Sequence, residues 1–136
     1  IIDYAHHPSA IEVTIDAAKH LPARRLWICF QPLTHSRVRG FFDAFVEVLR
    51  HEDLIMMSEI YDDRERDSSI SSRDIVERIN ELGGNAEYYP SNEELEAKLR
   101  TLLEPGDVLL IMGVDLRNVG DNLTGRHDHM KEVKDF

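Results

Sequence analysis

Cysteine is nearly absent. Cys29 is the only one in 136 residues, so no internal disulfide can form and a reducing cytoplasm fits best. It lies in the apolar run Leu26-Trp27-Ile28-Cys29-Phe30, which makes it a core residue by expectation. Positive charge is also scarce. Lys and Arg number 16 against 26 Asp and Glu, a formal net charge of −10. Such an acidic surface disfavours non-specific binding to nucleic acid or an anionic membrane, since both need basic groups. Local basic clusters can still hold a small anion. No apolar run reaches membrane length and no signal-peptide pattern opens the chain, so a cytoplasmic location is expected. Two nucleotide-binding fingerprints are lacking as well, G-x-x-x-x-G-K-[ST] and G-x-G-x-x-G. Alone, the chain has no recognisable grip on a triphosphate or a dinucleotide, which argues against a stand-alone dinucleotide-dependent oxidoreductase.

What is present describes one domain. With 42% hydrophobic and 31% charged residues, the chain can bury a proper core, while two cores would be cramped. Pro8 suits a first helical position, and Ile11, Ile15 and Ala18 follow at helical spacing. Leu26 to Phe30 is a strand-length apolar run of the kind buried on both faces in parallel sheets. Thr34 or Ser36 can cap a single strong helix whose apolar stripe is Val38, Phe41, Phe42, Phe45, Val48 and Leu49. Leu54 to Met57 reads as a third strand. Ser71 and Asp74 resemble a capping box before a helix that Gly83-Gly84 stops. Ala86–Tyr89 is a short strand, Ser91 and Glu94 open another helix, and Pro105-Gly106 turns the chain into the strand Val108–Met112. A short helix over 119–123 and a polar tail from 127 to 136, frayed or added to a sheet edge, complete the expectation. Strands alternating with helices predict an α/β fold: a single Rossmann-like domain over residues 1–126, mostly parallel, with helices on both faces.

In such sheets ligands sit beyond the carboxyl ends of the strands, which points to four loops: 3–8, 31–39, 61–68 and 113–120. The first is the densest in chemistry. Ile1-Ile2 runs into Asp3, Tyr4, His6 and His7 before Pro8, and a chain opening in mid-strand looks like a piece of something longer. Asp3 can accept from ribose hydroxyls or fix the turn through backbone N–H groups. His6 and His7 diverge as neighbours and have no clear third ligand, so one histidine touching ligand and the other capping the helix is favoured over a metal site. His127-Asp128-His129 is read as adventitious. Arg37 and Arg39 stand at the start of the phenylalanine-rich helix, where a guanidinium fork and helix N–H donors together suggest an anion site. The competing reading is pairing with a surface carboxylate. At most one of the two arginines should face the ligand. The loop with Asp62, Asp63, Arg64, Arg66 and Asp67 is either a solvated loop or a zwitterion-recognition element.

These residues carry a family resemblance. Asp3-Tyr4-Ala5-His6-His7-Pro8-Ser9 resembles D-Y-[GA]-H-H-P-T, the start of the C-terminal domain of the Mur ligases. Phe30 to Arg39, FQPLTHSRVR, is similar to that family's F-Q-P-H-x-[YF]-[ST]-R-[TV]-[RK]. The resemblance continues through Ile60-Tyr61, Ser71-Ser72, Pro105-Gly106-Asp107-Val108 and Met112-Gly113, covering nearly the whole chain. The motifs most resemble the branch that joins L-alanine to UDP-N-acetylmuramate. It implies ATP-dependent amide-bond formation through an acyl phosphate, in peptidoglycan precursor synthesis. It also implies that a central domain outside this chain supplies the P-loop and most of the hold on ATP and Mg, so that this chain alone should be inactive. Carried over by residue, the resemblance gives Asp3 the ATP ribose, Tyr4 and His6 the L-alanine and acyl-phosphate pocket, and Arg37 the amino acid's carboxylate. His7, Arg39, Asp63 and Arg64 are further candidates, and no metal ligand is assigned. Leu33 replaces the motif's second histidine, His35 its aromatic, and Thr34 an arginine of some members. The family's M-G-A-G-D-I is shortened to Met112-Gly113-Val114-Asp115-Leu116. Two other readings stand beside this one: a murein peptide ligase taking a tripeptide, and a non-catalytic flavodoxin-like binding module.

Overall fold

The computed structural model describes residues 2–3, 7–62, 69–113 and 131–132. Their order is β1 (Ile2–Asp3), α1 (Pro8–Lys19), β2 (Leu26–Phe30), α2 (His35–Gly40), α3 (Phe42–Leu49), β3 (Ile55–Ser58), α4 (Ser72–Glu81), β4 (Ala86–Tyr89), α5 (Asn92–Leu102), β5 (Val108–Met112) and β6 (Lys131–Glu132). The sheet runs β1-β5-β2-β3-β4, every pairing is parallel, and β6 also pairs with β5. Since β2 lies along all five residues of β5, β1 and β6 share its other side. β1 sits at Ile111–Met112 and β6 at Val108–Leu109. Lys131–Glu132, in the polar tail, therefore adds to a sheet edge.

The apolar runs are uninterrupted because the central strands are covered on both faces. Successive side chains alternate between two cores. Ile28, Phe30, Ile55, Met57, Val108, Leu110 and Met112 pack with α1, α2, α3 and α4. Trp27, Cys29, Met56, Leu109 and Ile111 pack with Leu95 and Leu99 of α5. Handedness accounts for the division. β1 through β4 step across the sheet in one direction, so right-handed crossovers place α1 to α4 on one face. The return from β4 to β5 runs the other way and places α5 on the opposite face.

Local chemistry sets the helix ends. Pro8 occupies the first turn of α1, and the His7 ring nitrogen Nδ1 accepts from the Ser9 N–H at 3.2 Å. Ser71 and Asp74 form a reciprocal capping box on α4, and the Ser91 hydroxyl caps α5 by accepting from the Glu94 N–H. At the end of α4, Gly83 takes φ +89° and lets the Gly84 N–H reach back to the Ile79 carbonyl at 2.9 Å.

The single helix expected from Val38 to Leu49 is two. α2 ends at Gly40, and Phe41 leaves helical geometry at φ −120°, ψ 22°. Gly40 holds a helix poorly. The Phe41 ring, expected in the apolar stripe, is 39% exposed and meets the His7 ring edge-on at 4.8 Å. Val46 takes a core place instead, beside Phe45 and Leu49.

Candidate functional site

Parallel pairing brings the strand ends to one edge. Asp3 lies opposite Met112, Met112 opposite Phe30, Phe30 opposite Met57, and Met57 opposite Tyr88. The loops that carry the polar motifs leave directly from this row. Gln31 ties three of the strand ends together. Its N–H donates to the Met112 carbonyl at 2.9 Å. Its side-chain amide donates to the Glu59 carbonyl at 3.0 Å and accepts from Asn92 at 3.4 Å. Gly113 follows β5 at φ +140°, and a Cβ there would lie 2.9 Å from the Gln31 Cβ. Only glycine fits so close an approach without strain.

The loops after β2 and β3 continue the sheet's pairing. The Tyr61 N–H donates to the Pro32 carbonyl and the Thr34 N–H to the Tyr61 carbonyl, both at 2.9 Å. This zipper leads into α2. Thr34, its N-cap, sits at φ 59°, ψ 137°, a conformation that costs a β-branched residue on the order of 1–3 kcal/mol unless the surroundings impose it. The Asp62 carboxylate accepts from the His35 N–H at 2.9 Å and meets His35 Nδ1 at 2.9 Å. Both side chains are shielded, with 1% of Asp62 and 14% of His35 exposed.

This arrangement changes the anion site expected from sequence. The N–H groups of His35 and Arg37 are engaged, by Asp62 and by the Thr34 hydroxyl, and α2 is only six residues long. The helix start therefore offers a ligand little, and what remains for an anion here is the side chains. Arg39 is exposed and donates to the Ser69 hydroxyl. Arg37 is half-buried, and its guanidinium has no hydrogen bond or ion pair among the described residues. One arginine is thus engaged and the other is available.

A second organiser carries no motif. The Glu59 carboxylate accepts from the Ser71 hydroxyl (2.6 Å), the Tyr88 hydroxyl (2.6 Å), the Ser72 N–H (3.0 Å) and the Ile60 N–H (2.9 Å). Burial pushes its pKa up, but the four donors outweigh burial and hold it below the usual carboxylate range. Tyr88 is raised, first by burial and then by Glu59, and the Arg73 guanidinium stacks over its ring at 4.9 Å. Glu59 so joins the end of β3 to the start of α4 and the end of β4. Sequence reasoning missed it, because its side-chain partners lie 12 and 29 residues away. At the other end of the sheet, an apolar cleft of about 190 Å³ lined by Trp27, Leu54, Met56 and Leu102 carries none of the candidate residues.

A family profile described as "Mur ligase, glutamate ligase domain" matches residues 1–114. The chain belongs to the Mur ligase C-terminal domain family. Among curated relatives of this Mur ligase domain, the UDP-N-acetylmuramate–L-alanine ligase of Agathobacter rectalis is 42% identical over 125 residues, covering 90% of this chain and 27% of the relative. The chain thus spans about a quarter of the length of the relatives it matches. Among solved structures, a UDP-N-acetylmuramate–alanine ligase from Thermotoga maritima superposes with a TM-score of 0.67 at 23% identity, over 93% of this chain and 26% of that one, a likeness of fold. A Haemophilus ducreyi domain, provisionally named for a ligase of UDP-N-acetylmuramate and an L-alanyl-γ-D-glutamyl-diaminopimelate peptide, gives a TM-score of 0.61 at 25% identity. That match covers 92% of this chain and 87% of that one.

In this Mur ligase domain the candidate residues are placed as follows. The backbone of Asp3 ends β1 in the strand-end row. His7 caps α1 and packs on Phe41. Arg37 and Arg39 lie on α2, two residues apart but differently engaged. The Asp3 side chain, Tyr4, His6, Asp63 and Arg64 lie outside the described residues, as do the loop beyond Gly113, the helix expected over 119–123 and His127-Asp128-His129. Among the described residues no group of three or more His, Cys, Asp or Glu could hold a metal ion, and no helix is long and apolar enough to cross a membrane.

Proposed function

We propose that residues 1–126 are the amino-acid-binding C-terminal domain of an ATP-dependent ligase that joins L-alanine to UDP-N-acetylmuramate in peptidoglycan precursor synthesis. The observation that carries this reading is the 42% identity to the Agathobacter rectalis L-alanine ligase across 90% of the chain. The half-buried Arg37, without a partner among the described residues, supports it, since such a guanidinium can hold a carboxylate by two parallel hydrogen bonds.

ATP supplies the phosphoryl group that turns an oxygen of the muramyl carboxylate into a phosphate leaving group. The deprotonated amine of L-alanine then attacks the carbonyl carbon, the C–N bond forms, the C–O bond to phosphate breaks, and the nitrogen releases one proton to solvent to leave the amide. This chain's part is positioning. Arg37 holds the alanine carboxylate so that the amine is presented, Tyr4 and His6 line the pocket at the acyl carbon, and Asp3 accepts from the ribose hydroxyls of ATP. Holding one reactant in attack geometry lowers the barrier by removing its translational freedom beforehand. Mg and the phosphates belong mainly to a central domain carrying the P-loop that is absent from this sequence. The 136 residues alone should therefore release no phosphate from ATP, and measurable turnover would refute that.

ADP release by the full-length enzyme with UDP-N-acetylmuramate, with L-alanine compared against the free tripeptide as the amine substrate, tests the reading. L-alanine should be the preferred acceptor. Arg37→Ala should raise the KM for L-alanine roughly 10- to 100-fold, the loss of one charge-assisted contact. Preference for the tripeptide would favour the peptide-ligase reading, to which the Haemophilus ducreyi likeness points. Intact ligation in both His6→Ala and Arg37→Ala would favour the non-catalytic module.

A further inference from the structure

Resting on the reading just given, we propose that the shielded Asp62–His35 pair is a positioning device for Arg37, fixing the start of α2 so that the guanidinium meets the carboxylate of the incoming amino acid.

The helix α2 has little stability of its own. The helix has six residues and one buried side chain, Val38, and a helix this short has no stability of its own in water. Its cap is weak, because the Arg37 N–H reaches the Thr34 hydroxyl only at 3.4 Å, beyond the usual range for such bonds. Thr34 is also held at a positive φ, which persists only where neighbouring structure imposes it. Asp62 provides that imposition. One carboxylate oxygen, Oδ2, binds both the backbone N–H and the ring Nδ1 of His35 at 2.9 Å each. Two contacts to one residue fix direction as well as distance, and both lie out of solvent, where they are not diluted by competing water. Asp62 in turn follows Tyr61, whose N–H and carbonyl are both paired to the loop after β2. The chain of contacts runs from the sheet through Tyr61 and Asp62 to His35, and Arg37 follows two residues on.

Arg37 itself has nothing else to orient it, since its guanidinium makes no bond among the described residues. An arginine that must bind a small carboxylate needs its helix placed to well under an ångström, because a free side chain would spend binding energy on ordering. A carboxylate–imidazole pair also suits proton transfer. Here, however, the His35 ring makes no hydrogen bond other than that to Asp62 among the described residues, and little of the side chain is exposed. Positioning is the role the contacts support.

The test is steady-state kinetics of the full-length ligase, with KM for L-alanine, KM for ATP and kcat measured separately for wild type, Arg37→Ala, Asp62→Ala, Asp62→Asn, His35→Ala and the Arg37→Ala/Asp62→Ala double variant. Asp62→Ala should raise the KM for L-alanine about 10-fold with the KM for ATP nearly unchanged, the size expected when a binding group is displaced by a fraction of an ångström. Asp62→Asn keeps an acceptor oxygen in place and should recover most of the loss. In the Arg37→Ala background Asp62→Ala should add nothing further, because it acts through the arginine. A lower kcat with unchanged KM for L-alanine, equal rises in both KM values, or additivity in the double variant would overturn the inference. Should Asp62→Ala fail to fold, His35→Ala decides. It keeps the backbone N–H bond, and an unaltered KM there overturns the proposal. A wild-type enzyme that does not use L-alanine sinks the ligase reading itself. A raised KM in Arg37→Ala beside a normal one in Asp62→Ala sinks only the positioning role.

Discussion

Replacing Glu59 by alanine removes one acceptor from four donors at once, and its cost can be worked from the geometry. The hydroxyls of Ser71 and Tyr88 can turn towards water. The backbone N–H groups of Ser72 and Ile60 cannot, since Ser72 is fully buried and Ile60 is 7% exposed. Each stranded buried donor costs roughly 1–3 kcal/mol, so the loss should be about 3 kcal/mol at neutral pH. With a urea slope of about 2 kcal/mol per molar for a domain of this size, the unfolding midpoint should fall by roughly 1.5 M. Glu59→Gln should rescue less than half, because its NH2 would face donors. The pH dependence has a definite sign. The folded carboxyl is held below its ordinary value by the donors, against the opposing push of burial. Its contribution is therefore fully present above the unfolded value, about 4.3, and is lost as pH falls through the folded value. The stability gap between wild type and Glu59→Ala should thus be widest at neutral pH and narrow on acidification. A gap under about 0.5 kcal/mol at neutral pH, the size of an ordinary surface change, or one that widens towards acid, would refute the assignment of Glu59 as the organiser of these loop ends.

Two further outcomes follow from the same edge and from the core beneath it. Cys29 is completely buried in β2 and burial raises its thiol pKa, so a thiol reagent should label the native chain only as fast as it opens. Complete labelling within minutes in native buffer would contradict this packing. Gly113→Ala should lower stability by about 1–3 kcal/mol, because the new Cβ meets Gln31 and φ stays at +140°. A melting temperature within a degree of wild type would show that the approach of Gln31 to Gly113 is looser than described.

Much of the frame is legible in the residues because its causes are local. Leu26–Phe30 and Val108–Met112 are continuous apolar runs, and only a strand covered on both faces gains from such a run. Pro8, the Ser71–Asp74 box and the Ser91 cap each act within one turn of helix, so their spacing alone locates three helix starts. The break at Phe41 was hidden because Phe41 and Phe42 fit a helical stripe. What draws the Phe41 ring out of it includes the His7 ring, 34 positions earlier and invisible to any periodicity.

The site divides along the same line. Arg37 stands out in a sequence because a guanidinium beside a turn is itself a chemical statement. What aims it is written elsewhere: Asp62 lies 27 residues from His35, and nothing in an acidic loop distinguishes a buried clasp from a solvated carboxylate. The free N–H donors expected at the start of α2 are in part already engaged, His35's by Asp62 and Arg37's by the Thr34 hydroxyl. With those two donors engaged, the anion site proposed above depends on one side chain, that of Arg37. A single long side chain is useful for that purpose only if its helix is held from outside, and the contacts at the start of α2 provide such a hold.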